Sequence, residues 1–194
     1  MTTNFWDVDA SGDWGTAADW NLGRLPNSTD DVSINTAHRH TVTHSIGTST
    51  VNTLAVGNDY FKVTGGSLTI LSTSNFDHQV TVSAGTLSFG GAATLVHLVQ
   101  NGGVISGEGT ATVTASGGPT SFTNTLLQMG SGRTVLQGAS NFSGSGEVCL
   151  DGGRTLENAG TITLSGTEGL HLAFNPFGPS LGGGTLVTTA GATI

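Results

Sequence analysis

The segments Gly66-Ser-Leu-Thr-Ile70 and Gly85-Thr-Leu-Ser-Phe89 decide the fold class. In each segment a glycine precedes apolar residues that alternate with Ser or Thr, which is the two-residue period of a strand with one buried face. Glycine disfavours helix and permits tight turns, whereas threonine favours strands. Because the same pattern continues from about Val32 to the end of the chain, the sequence predicts an all-β protein.

The glycine-led phrase recurs, and successive copies begin 19 to 31 residues apart, at Gly66, Gly85, Gly109, Gly132, Gly153 and Gly184. A period of this length fits one turn of a solenoid whose coils bury their apolar faces by stacking. We therefore predict a right-handed parallel β-helix (β-solenoid). Its inward residues within the phrase are predicted to be Leu68, Leu87, Val113, Val135, Leu156 and Leu186. A Greek-key sandwich is the alternative, since closely spaced short strands are typical of it as well.

Two asparagines favour the solenoid over the sandwich. Asn101 and Asn124 each precede a Gly-x-Gly sequence by six residues. This equal spacing predicts that their amides stack at a turn and form hydrogen bonds along the axis.

Length and charge exclude several classes of protein. The 194 residues suffice for one domain, and 13 acidic against 5 basic residues give a net charge of −8. Such a chain has little affinity for phosphate backbones, so we expect no nucleic-acid partner. The single cysteine, Cys149, excludes an internal disulfide framework. No apolar run approaches the ~18 residues of a membrane helix, so we expect no membrane insertion by this segment.

The first 31 residues differ from the rest, because they hold six of the 13 acidic residues and all three tryptophans, Trp6, Trp14 and Trp20. We predict that residues 1–31 form a Trp- and Asp-rich N-terminal cap, and that residues 32–194 form the coils. The tryptophans offer an aromatic platform for sugar rings as the alternative to a cap. The final residues resemble the opening of another coil, which predicts a truncated solenoid capable of end-to-end self-association.

The stretch from Gly12 to Ile34, which contains Trp14, Trp20 and the Asp30-Asp31 pair, resembles the opening of bacterial secreted β-helix proteins of the large adhesin and autotransporter passenger type. The later segments 104–113 and 153–166 are similar to coils of those proteins. The region from Pro26 to Val56 is also similar to the G8 domain pattern. The resemblance implies an extracellular or cell-surface location and a stalk or adhesin, and it carries over no catalytic residue.

Asp7, Asp9 and Asp13 are candidate ligands for calcium. Together with Ser11 they place oxygen side chains at alternate positions, with a glycine sixth, as the first half of an EF-hand loop does. The twelfth position is Ala18, so only a partial or irregular site remains. The alternative is that these side chains satisfy the backbone of tight turns.

His38, His40 and His44 lie on the same face if this segment is extended, and three imidazoles can bind zinc. His40 and His44 would lie ~13 Å apart along a straight strand, too far for ligands of one ion. We therefore predict an ordinary strand or turn surface here.

Glu147, Asp151 and Arg154 are the candidates for a catalytic site on a β-helix. A four-residue separation along a strand places the two carboxylates ~13 Å apart, beyond the ~5 to 9.5 Å that glycoside hydrolysis requires. Catalysis is therefore not expected. Cys149, between inward Val148 and Leu150, is predicted to point outward.

The sequence thus predicts a non-catalytic structural or adhesive segment of a larger bacterial extracellular protein, with surface glycans or cell-surface receptors as partners and no cofactor other than calcium. A carbohydrate-binding or carbohydrate-degrading β-helix is the alternative.

Overall fold

In a computed structural model the chain forms a parallel β-solenoid with a tryptophan cap at its N-terminal end. The structure describes residues 1–167 and 169–194. Every strand ladder within these ranges is parallel, which excludes the Greek-key sandwich. Within the same ranges, no helix has the length and apolar character needed to cross a membrane.

The strands are short and follow one another around the axis, with one 3₁₀ turn at Ala17–Asp19. In chain order they are β1 (Thr2–Phe5), β2 (Gly12–Asp13), β3 (Asp30–Ile34), β4 (Thr41–His44), β5 (Thr48–Val51), β6 (Thr53–Val56), β7 (Tyr60–Val63), β8 (Ser67–Ile70), β9 (Ser74–Val82), β10 (Thr86–Phe89), β11 (Ala93–Gln100), β12 (Val104–Ser106), β13 (Thr110–Val113), β14 (Thr120–Phe122), β15 (Leu126–Met129), β16 (Arg133–Leu136), β17 (Ala139–Gly144), β18 (Glu147–Asp151), β19 (Thr155–Asn158), β20 (Thr161–Gly166), β21 (Gly169–Leu172) and β22 (Thr185–Thr188).

Three ladders of strands form the faces of the solenoid. The first runs β1-β3-β6-β9-β11-β13-β16-β19-β22, the second runs β2-β4-β7-β9-β11-β14-β17-β20, and the third runs β5-β8-β10-β12-β15-β18-β21. The long strands β9 and β11 each contribute to the first two faces. Coil length varies from the 18 residues between paired Ala93 and Ala111 to the 30 between paired Leu156 and Leu186.

The glycine-led phrases form two columns rather than the single column that their sequence suggests. The phrases at Gly66 and Gly85 open β8 and β10 on the third face, whereas those from Gly109 onward open strands of the first face. At the third-face corner Gly66 has φ +65°, and a Cβ atom there would lie 2.2 Å from the carbonyl oxygen of Gly47 one coil away. Only glycine permits both this conformation and this close approach.

The interior is apolar, and aromatic rings continue from coil to coil. Trp14 packs on Phe61 with ring centroids 6.0 Å apart, Phe61 packs on Phe76 at 5.9 Å, and Phe76 packs on Phe89 at 6.3 Å. Offset and edge-to-face contacts of this kind add to the stability gained by burial. Deeper in the solenoid the core continues with aliphatic residues such as Leu156.

The predicted inward residues are confirmed at Leu68, Leu87, Val113 and Leu156, which are fully buried, and Leu186 packs partly buried against the core. The prediction for Val135 is wrong, because this side chain is only half-buried.

The register of β16 explains this error. Leu136 faces inward opposite Val113, and the two-residue period then turns Thr134 inward as well. The buried Thr134 hydroxyl accepts a hydrogen bond of 2.7 Å from Arg154 Nη2, so a polar pair replaces the expected apolar contact.

The burial of Cys149 was not predicted: its side chain is fully buried, although Val148 and Leu150 on either side of it belong to the core cluster and Cys149 does not. Val148, Cys149 and Leu150 are all buried, so β18 is covered on both of its faces. Burial, with a smaller contribution from the negative charge of Glu147, raises the pKa of the Cys149 thiol to about 11.

The three tryptophans close the N-terminal end, which confirms the predicted cap. Trp20 contacts Trp6 and Trp14 edge-on, with ring centroids 5.2 and 4.8 Å apart, and its indole Nε1 donates to the Trp14 carbonyl at 2.9 Å. The boundary predicted at residue 31 falls inside β3, since β1 already pairs with β3 as a rung of the first ladder.

Candidate functional site

The loop between β3 and β4 carries the candidate site, and one buried carboxylate determines its shape. Asp59, from the next coil, accepts hydrogen bonds from the backbone N–H of Thr36 and of His40, both at 2.8 Å. It also accepts the Thr36 hydroxyl at 2.7 Å, and that hydroxyl contacts the His38 carbonyl oxygen as well. The loop is therefore held against the solenoid from both of its ends.

This loop brings His38 and His40 to Asp9 of the cap. The His38 Nδ1 atom lies 2.5 Å from Asp9 Oδ2, and His40 Nε2 lies 3.2 Å from Asp9 Oδ1. The backbone N–H of His38 also donates to Asp9 Oδ1 at 3.1 Å. One ligand atom from each of the three side chains lies within 4.8 Å of the others, and no other such group of three His, Cys, Asp or Glu residues occurs in residues 1–167 and 169–194.

The same contacts set the charge of the cluster. The hydrogen bond from the His38 ring is the main reason that the pKa of Asp9 is lowered. That bond raises the pKa of His38 in turn. The pair thus favours an ionised Asp9 carboxylate next to a protonated His38 ring, and a metal ion that binds there displaces this proton.

The three aspartates predicted to bind calcium lie in different local environments. Asp9 faces the histidines, whereas Asp13 Oδ1 accepts the backbone N–H of Gly15 at 2.8 Å in a tight turn. The backbone N–H of Asp7 bonds to the carbonyl oxygen of Asp19 across the cap. Calcium at Asp7, Asp9 and Asp13 stays a prediction.

His44 separates from the other two histidines and enters the core. Its Nδ1 lies 3.1 Å from the Gly65 carbonyl oxygen and its Nε2 lies 3.1 Å from the Ser49 hydroxyl, while its ring packs on Trp14. The prediction that His40 and His44 do not bind one ion therefore agrees with the structure. The prediction of a surface position is wrong for His44, because its side chain is buried.

A groove with polar side chains lies on the second face beside this loop. Arg39 stacks over the Tyr60 ring at 5.5 Å and places its Nη2 atom 3.0 Å from His78 Nε2. Gln79 and His97, which pair across β9 and β11, complete the wall of a cavity of about 250 Å³. A larger recess of about 550 Å³ runs beside Asn101, Asn124 and Phe177, and none of its lining residues within 1–167 and 169–194 is charged.

Two of the three candidate catalytic residues occupy structural positions. Asp151 is buried and accepts the Leu181 N–H at 2.9 Å and the Ser180 hydroxyl at 2.7 Å, so it anchors the long loop before β22. Arg154 is buried beside Thr134, and burial lowers its pKa to about 10. Glu147 is partly exposed and lies 3.4 Å from His171 Nε2.

The predicted asparagine stack is realised in a modified form. The Asn124 side-chain amide donates to the backbone carbonyl of Asn101 at 3.1 Å, rather than to its side chain. An amide–amide contact inside the core was not predicted: Gln128 Nε2 donates to Gln100 Oε1 at 3.1 Å.

Sequence reasoning missed the Asp9–His38–His40 cluster because it treated the aspartates and the histidines separately. His38-x-His40 at the entry to a strand was a visible signal, but its partner lies 29 and 31 residues away along the chain. The loop conformation that joins them depends on Asp59, whose role no local pattern reveals.

Fold and site together define a parallel β-solenoid with a tryptophan-capped end and a His-Asp cluster at the junction of cap and coils. Comparisons with protein-family models, with curated proteins and with solved structures found no match for the chain.

Proposed function

We propose that the chain is a non-catalytic structural and adhesive segment of a larger bacterial extracellular or cell-surface protein. The observation that carries this proposal is the use of Asp151 and Arg154, the best candidate catalytic side chains, inside the fold. Both are fully buried and bonded to neighbouring backbone or hydroxyl groups, so neither is available to a polymeric substrate. The resemblance of residues 12–34 to adhesin-type β-helix proteins supports the same proposal.

A parallel solenoid suits this role physically. Each coil contacts only its neighbours, so length is added at about 4.8 Å per coil without a change of architecture. The outward positions are mostly small polar residues, which are compatible with an extended, solvated stalk.

Carbohydrate binding is the second candidate, and the groove beside Arg39 is the observation that favours it. An aromatic ring, a guanidinium, an amide and two imidazoles converge there on a protein of net charge −8. Arginine and histidine recognise carboxylate groups, and tyrosine packs against sugar rings. Surface glycans that carry acidic sugars are therefore the ligand class this groove fits.

An adhesion assay tests the proposal. Beads coated with the chain should adhere to surfaces that display acidic glycans, and the same glycans should not be cleaved during prolonged incubation. Turnover that disappears with Glu147→Gln would overturn the non-catalytic proposal.

The groove is tested separately with Arg39→Ala and Tyr60→Ala. Both should weaken glycan adhesion at least tenfold. Arg133→Ala is the matched control, because it removes an arginine from a surface ion pair with Glu157, at 2.6 Å, away from the groove. Equal adhesion of all three variants would contradict binding at this groove.

A further inference from the structure

We propose that Asp9, His38 and His40 bind one divalent transition-metal ion of the zinc class, and that this ion fastens the N-terminal cap to the coils. None of the side chains of Asp9, His38 and His40 lines the glycan groove, although Arg39, which does, lies between the two histidines in the chain. The proposed metal site uses none of the groove side chains, so zinc binding does not require glycan adhesion.

The geometry of the cluster suits a tetrahedral ion. Zinc bonds to imidazole nitrogen and carboxylate oxygen at ~2.0 to 2.2 Å, which places neighbouring ligand atoms ~3.3 Å apart. His40 Nε2 lies 3.2 Å from Asp9 Oδ1, close to this value, whereas His38 Nδ1 lies 2.5 Å from Asp9 Oδ2, a hydrogen-bond contact that lengthens when an ion enters. One ligand atom from each of the three residues already lies within 4.8 Å of the others, so side-chain adjustments rather than a change of backbone would bring the three atoms to one ion.

The chemistry of the ligands selects the metal. Two imidazoles with one carboxylate form a common three-residue set for zinc, which leaves a fourth position for water. Calcium and magnesium prefer oxygen ligands alone, so histidines disfavour them. Two of the three side chains are also exposed enough for an ion to enter, with 80% of the His38 side chain and 44% of the Asp9 side chain exposed.

The site is organised before any ion binds. Asp59 fixes the backbone of Thr36 and of His40, so the two histidines leave the loop at set positions. On the other side, the Ser11 hydroxyl accepts the backbone N–H of Thr41 at 3.0 Å and joins the cap segment to the start of β4. Ligands whose supporting groups are already fixed lose less conformational entropy when they bind.

The position of the cluster gives the ion a structural task. Asp9 lies between Trp6 and Trp14 in the cap, whereas the histidines belong to the first complete coil. A metal bridge between segments about 30 residues apart restricts the unfolded chain and links the cap to the coil beneath it.

Zinc titration of the metal-free chain tests the proposal. Isothermal titration calorimetry should show one ion per chain, and cobalt substitution should give the visible absorption bands of a tetrahedral Co²⁺ site. At free zinc about a hundredfold above the Kd, the melting temperature should rise by about 5 to 10 °C and should return to its starting value with a chelator.

Variants assign the effect to the cluster. His38→Ala, His40→Ala and Asp9→Asn should each weaken zinc binding at least tenfold and abolish the rise in melting temperature. His171→Ala is the matched control: this exposed imidazole also contacts a carboxylate, Glu147, but no third ligand joins them among the described residues. Circular dichroism without metal verifies that each variant is folded, and the exposure of His38 makes its replacement the safest case.

Two results would overturn the proposal. One is zinc binding that persists unchanged in His38→Ala and His40→Ala, which would place the ion elsewhere. The other is stabilisation by calcium but not by zinc that requires Asp9, which would indicate an oxygen-ligand site instead.

Discussion

Inward residues are buried at the N-terminal end of the solenoid and exposed in the last coils that the structure describes. At the N-terminal end Trp14 is 1% exposed, and its ring packs on Trp20 and on Phe61. At the C-terminal end Leu164 is 64% exposed and Ile194 is 63% exposed, and both line a wholly apolar hollow with Leu170 and Leu186. In a solenoid each coil is covered by its neighbours, so the same inward position is buried in one coil and exposed to solvent in another.

The largest expected effect comes from introducing a charge at two paired positions, one in the buried core and one in the exposed C-terminal coil. Leu156 is fully buried, whereas its ladder partner Leu186 is only partly buried. Leu156→Asp should cost several kcal/mol, enough to unfold a domain whose total stability is about 5 to 15 kcal/mol. Leu186→Asp should lower the denaturation midpoint far less. Equal midpoints for the two variants would show that the C-terminal coil is as well protected as the interior.

Aromatic truncation at each end gives the next largest effect. Trp14→Ala should lower the free energy of unfolding by about 3 to 5 kcal/mol, because it leaves a cavity against Phe61 and Trp20. Phe174→Ala should cost less than about 1 kcal/mol, since this ring is 43% exposed and packs on His171 at the surface. Denaturant titration followed by circular dichroism measures both variants, and a similar loss from each would remove the distinction between the ends.

Two buried carboxylates, Asp30 near the N-terminal end and Asp151 in the C-terminal half, extend the comparison to the dependence of folding stability on pH. Hydrogen bonds from Arg24 hold the pKa of Asp30 below its usual range. Burial alone would raise the pKa of Asp151, but the Leu181 N–H and the Ser180 hydroxyl outweigh it and lower the pKa. Both groups should therefore stabilise the fold above about pH 4, and this contribution should disappear as the pH falls through their lowered values.

The measurement is the free energy of unfolding between pH 6 and pH 2.5. Asp30→Asn and Asp151→Asn should each make the dependence on pH shallower. Added salt should weaken only the Asp30 contribution, because its partner Arg24 is 42% exposed, whereas Asp151 has no cationic partner among the described residues. A profile unchanged by either substitution would contradict the assigned pKa shifts.

The smallest expected effect is on the rate at which the Cys149 thiol is labelled. This rate reports on local opening of the C-terminal coils and does not require a change in the stability of the protein. Because its thiol is buried and its pKa is raised to about 11, a thiol reagent should label the native protein slowly at pH 7. Leu186→Asp should speed labelling more than it promotes global unfolding, whereas Trp14→Ala should act only through global unfolding. If the ratio of the labelling rate to the extent of global unfolding is the same in both variants, the solenoid opens as one unit.

Much of the fold could be predicted from local patterns. Alternation around Leu68 and Leu87 identified strands, and the recurring glycines identified coils, because both depend on neighbouring residues and on a fixed period. The crowding of Trp6, Trp14 and Trp20 near the start similarly indicated the cap. The division of the glycine phrases into two columns was not visible, since loops of different length separate them.

The candidate site was predicted less well than the fold. Asp9 was predicted as a calcium ligand with Asp7 and Asp13, whereas zinc at the histidines was considered and an ordinary surface was predicted there instead. Their meeting depends on how the cap folds back over the first coil and on the bonds from Asp59 to the loop. No spacing along the chain encodes such contacts.

The sequence by itself therefore determined the all-β class, the coil period and the end that carries the tryptophan cap, because strand alternation, glycine turns and composition are local properties. Only the tertiary structure decided that Thr134 rather than Val135 faces the core, that Cys149 is covered, and that Asp9 joins His38 and His40. The physical reason is that a one-residue change of register exchanges the two faces of a strand, and the stacking of distant coils sets that register.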